Sequence, residues 1–199
     1  CWDKTGARPV STKWVDNKGD EDNPEIRCRW VGREFKGNDN NRDDLFAATP
    51  PLEAKKALVH LAANQTGISK GAFRKLGFID IKKAYFHAKA KRLVYVDLPD
   101  EALEPGEKGK VCGRLNYSLY GTRDAANNWE DCYTEAMINL GFVRGKSSPC
   151  ILFHKDKNMI TVVHGDDFTT LATENNQKWL ATKLKEKFTI KERGVMGPD

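Results

Sequence analysis

The chain has 199 residues, 39% of them hydrophobic and 31% charged, with a net charge of +5. This is enough apolar content for the core of a soluble domain, and the modest basic excess permits an anionic partner such as nucleic acid. Five cysteines without a C-x-x-C pair and four histidines without ligand spacing argue against a disulfide framework or a zinc site, and for an intracellular, reducing compartment. No apolar run reaches membrane-spanning length, and none reads as a signal peptide. The first residue is Cys1 rather than Met, so the chain reads as a fragment, with a length that fits one domain or one domain plus a small subdomain.

Residues 1–50 are polar and rich in turn formers. Val10 to Val15 reads as a strand, Asp16-Asn17-Lys18-Gly19-Asp20 as a turn, and Ile26 to Phe35 as a second strand. That second run carries Arg27, Arg29 and Arg33, with Trp30 and Phe35 between and after them. Basic side chains interleaved with aromatics suit phosphates or nucleic acid; a charged, solvated edge strand has the same composition. Residues 37–44 read as a loop. Thr49-Pro50-Pro51 opens a helix, with Leu52, Ala54, Ala57, Leu58, Leu61 and Ala62 as its apolar stripe. Asn64 to Gly67 ends it. A connector over residues 67–77 leads to Phe78-Ile79-Asp80-Ile81-Lys82-Lys83-Ala84-Tyr85-Phe86. Asp80 sits between apolar residues and needs a partner, because burying an unpaired charge is costly. A helix N-cap, an ion pair with Lys82 or Lys83, and a metal ligand all meet that need.

Leu93 to Leu98 reads as a strand ended by Pro99, residues 100–110 as a loop, and Val111 to Leu115 as a short strand. The strongest helix signal runs from Asp124 to Leu140. Ala125, Ala126, Trp129, Cys132, Tyr133, Ala136, Met137 and Leu140 form its apolar face. Asp124 suits its N-cap and Gly141 the position beyond its end. Gly145-Lys146-Ser147 lacks the upstream glycine of a phosphate loop and leads into a strand, so it is not one. Ile151–His154, Met159–Val163 and Phe168–Ala172 read as three successive strands. Thr173 caps a last helix with Trp179, Leu180 and Leu184 inward, and Phe188 to Ile190 starts a final strand.

The hairpin between the second and third of these strands carries the chemistry. Gly165 suits the first central position of a type II′ turn, where φ is positive. The expectation is that the turn lifts Asp166 and Asp167 out of the ladder and presents two carboxylates at one edge of a sheet. Adjacent carboxylates repel unless a cation neutralises them, and hard oxygen ligands select Mg²⁺ or Mn²⁺. An ordinary surface turn has the same residues. The order of elements after residue 77 implies an α+β fold with helices packed on one face of an antiparallel sheet. Asp80 is then expected on a strand next to Asp166 and Asp167, at the same end.

Six segments, in order, resemble the reverse transcriptase domain of copia-type (pseudovirus) LTR retrotransposons. Arg27-Cys28-Arg29-Trp30-Val31-Gly32-Arg33-Glu34-Phe35 is similar to K-A-R-L-V-A-R-G-F, and Leu45-Phe46-Ala47-Ala48-Thr49-Pro50 to E-T-F-A-P-V. Asp80-Ile81-Lys82-Lys83-Ala84-Tyr85 is similar to L-D-V-K-T-A-F, and Ser118-Leu119-Tyr120-Gly121 through Trp129 to S-L-Y-G-L-K-Q-A-P-R-A-W. Leu140-Gly141-Phe142 with Ser148-Pro149-Cys150 resembles L-G-F…D-P-S/C, and His164-Gly165-Asp166-Asp167 stands where the family has Y-V-D-D.

The resemblance implies a fingers-and-palm right hand, with residues 1–77 fingers-like and 78–199 palm-like, and with thumb and RNase H absent from this chain. It implies an RNA-directed DNA polymerase that adds dNTPs to a primer 3′-hydroxyl on an RNA or DNA template. Asp80, Asp166 and Asp167 become the catalytic carboxylates holding two Mg²⁺ or Mn²⁺ ions, with Asp166 the closer ligand of the hairpin pair. Backbone groups near Lys83 and Ala84 contact the phosphates. Tyr85 crowds a 2′-hydroxyl, Tyr120 and Gly121 line the nucleotide pocket, and Arg29, with Arg27, reaches the triphosphate. His164 and Gly165 lie at the primer grip.

His164 and Gly165 depart from the family's Tyr and branched residue, and Ala126 stands where the family has proline. RNase H and integrase segments are expected in the parent polyprotein, and the product is expected in cytoplasm or nucleus, including a virus-like particle. Oligomeric state has no signal in the sequence. A catalytically inactive nucleic-acid-binding remnant is the alternative. An RNA-recognition module lacks its aromatic signature here, and a metal-dependent nuclease does not account for the ordered motifs.

Overall fold

A computed structural model describes residues 1–17, 26–35, 47–65 and 72–197; within these, the side chains of Trp2 and Arg27 are not described. The turn residues Lys18 to Asp20, the loop 37–44, Leu45, Phe46, Gly67 and the connector as far as residue 71 lie outside the described residues. In chain order the elements are α1 (Trp2–Thr5), β1 (Thr12–Asn17), β2 (Arg27–Gly32), α2 (Leu52–Ala63), β3 (Lys75–Ile81), β4 (Tyr95–Val96), β5 (Gly113–Arg114), α3 (Ala125–Asn139), β6 (Val143–Arg144), β7 (Ile151–His154), β8 (Met159–His164), β9 (Asp167–Ala172), α4 (Glu174–Lys185) and β10 (Ile190–Met196).

Two compact units form, each from two stretches of chain. One takes the described residues of 1–46 with 85–129, the other 47–84 with 130–199. The boundary expected near residue 77 therefore falls inside the second unit.

In the first unit β1 and β2 pair as an antiparallel ribbon, Thr12 opposite Gly32 and Asn17 opposite Arg27. Val10 sits in a parallel bridge to Val96 rather than in β1. The apolar run 93–98 yields only two ladder residues, because its other backbone bonds go to Val10 and Leu115. Val94, Val96 and Leu119 form a small core with Val10, Trp30 and Leu115 against it. Beside it lies a polar clamp. Arg92 makes a two-pronged contact with Glu34, Nη1 to Oε1 at 3.0 Å and Nη2 to Oε2 at 2.8 Å, and Nη2 also donates to Asp124 Oδ1 at 2.7 Å. Asp124 also accepts from the Asn128 amide at 3.0 Å, and Glu34 from the Arg123 N–H at 2.8 Å. Burial pushes the Asp124 carboxyl up, but Arg92 and Asn128 outweigh it and hold the group below the usual carboxylate range.

The second unit is built on a six-stranded antiparallel sheet in the order β10-β3-β9-β8-β7-β6. Alternation along the strands decides its two faces. Leu76, Val162 and Leu171 share one face, and Ala54, Leu58 and Ala62 of α2 pack on them. Gly77 and Thr170, one residue along, point the other way. There the Gln177 side chain of α4 donates to the carbonyls of Lys75 (3.0 Å) and Thr170 (2.7 Å). Tyr133 of α3 packs edge-on to Phe168 on that second face, with ring centroids 5.5 Å apart. Helices thus cover both faces, which corrects the expectation of a single helical layer: the stripe of α2 is narrow, and the residue pattern of the helix does not say which side of the sheet it meets.

Helix α3 ends as its sequence implies. Gly141 has φ +94, its N–H donates to Ile138 C=O, and the Phe142 N–H reaches back to Met137 C=O, the paired bonds of a Schellman cap. Thr173 stands at the N-cap of α4 but makes no side-chain cap hydrogen bond.

Candidate active site

The three aspartates singled out in the sequence lie at one end of the second unit's sheet. Asp80 is the penultimate residue of β3 and lies directly opposite Asp167, the first residue of β9. Opposed residues on antiparallel strands point to the same face with Cβ atoms about 4.5–5.5 Å apart. The Ile81 N–H donates to the Asp166 carbonyl at 2.9 Å, which ties the hairpin turn to the end of β3. His164 faces Asp167 across a two-residue turn of Gly165 and Asp166. Gly165 has φ +64, while Asp166 is not among the residues with positive φ, the combination a type II′ turn needs. A Cβ at Gly165 would meet nothing within 4 Å, so the backbone angle, not space, calls for glycine. One expectation is corrected: Asp167 is not lifted out of the ladder. It pairs with both His164 and Asp80, and only Gly165 and Asp166 form the turn.

The surroundings supply cations that the motif reading missed. Arg193 Nη2 donates to Asp80 Oδ1 at 3.0 Å. Arg193 is the extra residue of a bulge, since Glu192 pairs with Ile79 and Gly194 with Phe78, and a bulge re-aims a side chain. Lys55 of α2 donates to His164 Nδ1 at 3.2 Å, which makes Nδ1 the acceptor and places any ring proton on Nε2. A cleft of about 380 Å³ lies beside Asp167, with Lys55, Phe78, Thr169 and Arg193 also in its walls.

In donor chemistry these carboxylates suit a hard divalent cation. Asp80 already sits against a positive group, the Arg193 guanidinium. Among the described residues, however, no three His, Cys, Asp or Glu side chains converge on one point. Lys83 and Ala84 follow β3; Lys83 has the uncommon φ of +54, and Ala84 is buried.

The other residues singled out lie in the first unit. Tyr85 and Tyr120 stack at 4.5 Å between ring centroids, with Phe86 edge-on to Tyr120 at 5.5 Å. Gly121 has φ +85, and a Cβ there would lie 2.0 Å from the Gly32 carbonyl oxygen. The Gly32 N–H donates to Tyr120 C=O at 2.7 Å. Gly121 therefore lets the end of β2 pass close, a structural demand the motif alone does not reveal. Arg29 is exposed on β2, opposite Val15.

Residues 3–197 match the family model described as Reverse transcriptase (RNA-dependent DNA polymerase). The chain belongs to this family. It is 26% identical over 202 residues to the "Retrovirus-related Pol polyprotein from transposon TNT 1-94" of Nicotiana tabacum, an alignment that takes in 95% of this chain and 14% of that protein. The copia-type resemblance read from six short motifs thus extends along nearly all of the chain.

Proposed function

We propose that the carboxylate end of the second unit's sheet is the nucleotidyl-transfer site of an RNA-directed DNA polymerase, acting on a primer paired to an RNA or DNA template with dNTPs as substrates. The observation that carries this reading is the register of Asp80 against Asp167, with Asp166 next to it in a turn bonded to β3. Asp80, Asp166 and Asp167 are the residues that would hold Mg²⁺ or Mn²⁺, which when bound supplies neutralisation of the triphosphate charge and a more acidic primer hydroxyl. Asp167, fixed by pairing on both sides, orients the pair; Asp166, in the turn, is the closer ligand. His164, held by Lys55, and Gly165 face the primer end. The second unit takes the palm's part and the first the fingers'. Within the first, Tyr85 discriminates against a 2′-hydroxyl, Tyr120 and Gly121 contact the nucleotide, and Arg29 and Arg27 draw the triphosphate. The backbone at Lys83 and Ala84 offers further phosphate contacts.

The test is primer extension on poly(rA)/oligo(dT) with Mg²⁺ or Mn²⁺, comparing the chain with Asp166→Asn. Extension should fall by roughly two orders of magnitude or more, the scale for losing one electrostatic stabiliser of a transition state. One observation favours a second reading, a non-catalytic nucleic-acid-binding remnant: Asp80 is engaged by Arg193 rather than gathered with its fellow carboxylates. Salt-sensitive binding to the hybrid without extension in either protein would decide for the remnant.

A further inference from the structure

We infer that Arg193 is a resident counter-ion of the carboxylate site, which a divalent cation must displace from Asp80 before that carboxylate can serve as a ligand. This rests on the metal-dependent reading given above. The guanidinium donates to Asp80 Oδ1 at 3.0 Å, and Asp80 is only 19% exposed while Arg193 is 51% exposed. A carboxylate so sheltered is partly stripped of water, and a cation against it compensates for part of that loss. Arginine suits that place because it never gives up its charge and is weakly hydrated.

Three features make the contact exchangeable rather than permanent. It is a single hydrogen bond, not a two-pronged one. Its arginine is half in water. It comes from a bulge in β10, where the backbone is less constrained by pairing than in the regular ladder. The same side chain lines the cleft with Lys55 and Asp167. Released from Asp80 it stays at that wall, where the phosphates of nucleic acid or nucleotide give it a new anion.

Metal binding and the ion pair then compete for one carboxylate. Mn²⁺ binding is measured by electron paramagnetic resonance on the whole chain, on Arg193→Gln, on Asp80→Asn and on the double variant, with folding of each checked by circular dichroism. Arg193→Gln should bind Mn²⁺ about fivefold more tightly, the scale of removing one exposed pair. Asp80→Asn should bind more weakly, and adding Arg193→Gln to it should change nothing further. Equal or weaker Mn²⁺ binding in Arg193→Gln, with a clear loss in Asp80→Asn, overturns the competition and leaves the carboxylate site standing. Mn²⁺ binding indifferent to both substitutions overturns the site and the competition together.

Discussion

Arginine meets aspartate in both units, and the two contacts behave differently because their surroundings differ. In the first unit Arg92 is 25% exposed, Glu34 19% and Asp124 7%. The clamp is two-pronged on one side, shared on the other, and backed by Asn128, whose amide also donates to Ser118. In the second unit Arg193 makes one contact with Asp80 and is half in solvent. Low local dielectric strengthens the first set and makes any unpaired member of it costly; water weakens the second and offers each partner a substitute. Burial and the number of hydrogen bonds, rather than the chemical identity of the pair, separate a structural clamp from an exchangeable one.

The largest effect should follow from breaking the clamp. Arg92→Ala leaves Glu34 and Asp124 facing each other in a sheltered site without their cation. The expected loss is about 3 kcal/mol, at the low end for a broken buried pair because the clamp is partly wet, read as a lower midpoint in urea denaturation. A loss below about 1 kcal/mol would place the clamp with surface pairs and dissolve the contrast. A smaller, pH-dependent effect sharpens it. The Asp124 carboxyl is held below its ordinary range in the folded state, so the unfolded chain takes up that proton first. Its stabilising contribution is complete above the unfolded value near pH 4 and is lost as the pH falls through the lower, folded value. Stability measured from pH 6 to pH 2 should fall less steeply at the acid end in Asp124→Asn than in the parent chain. Parallel curves would mean that Asp124 is not the group responsible.

Local pattern carried far in this chain, and non-local pairing marks where it stopped. Strands β7, β8 and β9 were readable because short apolar runs rich in β-branched residues lie there and a Gly-Asp turn separates two of them. Helix α3 was readable from one apolar face and Gly141. The meeting of Asp80 with the hairpin followed from strand order, and the register bears it out. Strand β6, only Val143–Arg144, is too short to leave a pattern. Gln177 looks like one more polar residue in a polar helix, yet it is buried over two strands. Its signal was on the other side, in Gly77, where a Cβ would come within 2.2 Å of the Gln177 amide oxygen; a glycine inside a strand often marks such an approach. Arg92 is 58 positions from Glu34, and Arg193 is 113 from Asp80. Neither distance has a local signature, and the nearby lysines Lys82 and Lys83 were the partners the sequence offered for Asp80.

The smallest stability effect should come from Arg193, and its smallness is informative. Arg193→Gln removes one charged hydrogen bond from a half-exposed residue in a bulge, where water and a glutamine amide can both replace part of it. The expected loss is under about 1 kcal/mol, and it should shrink further at 0.5 M salt, because a pair open to solvent is screened. Thermal denaturation at low and high salt reads both quantities. A loss as large as that of Arg92→Ala, unchanged by salt, would make Arg193 an anchor of β10. An anchor cannot yield Asp80 to a metal ion without loosening the strand that flanks the site. A small, salt-sensitive loss leaves β10 in place when the guanidinium lets go, which is the condition under which a carboxylate can pass from an internal cation to a bound one.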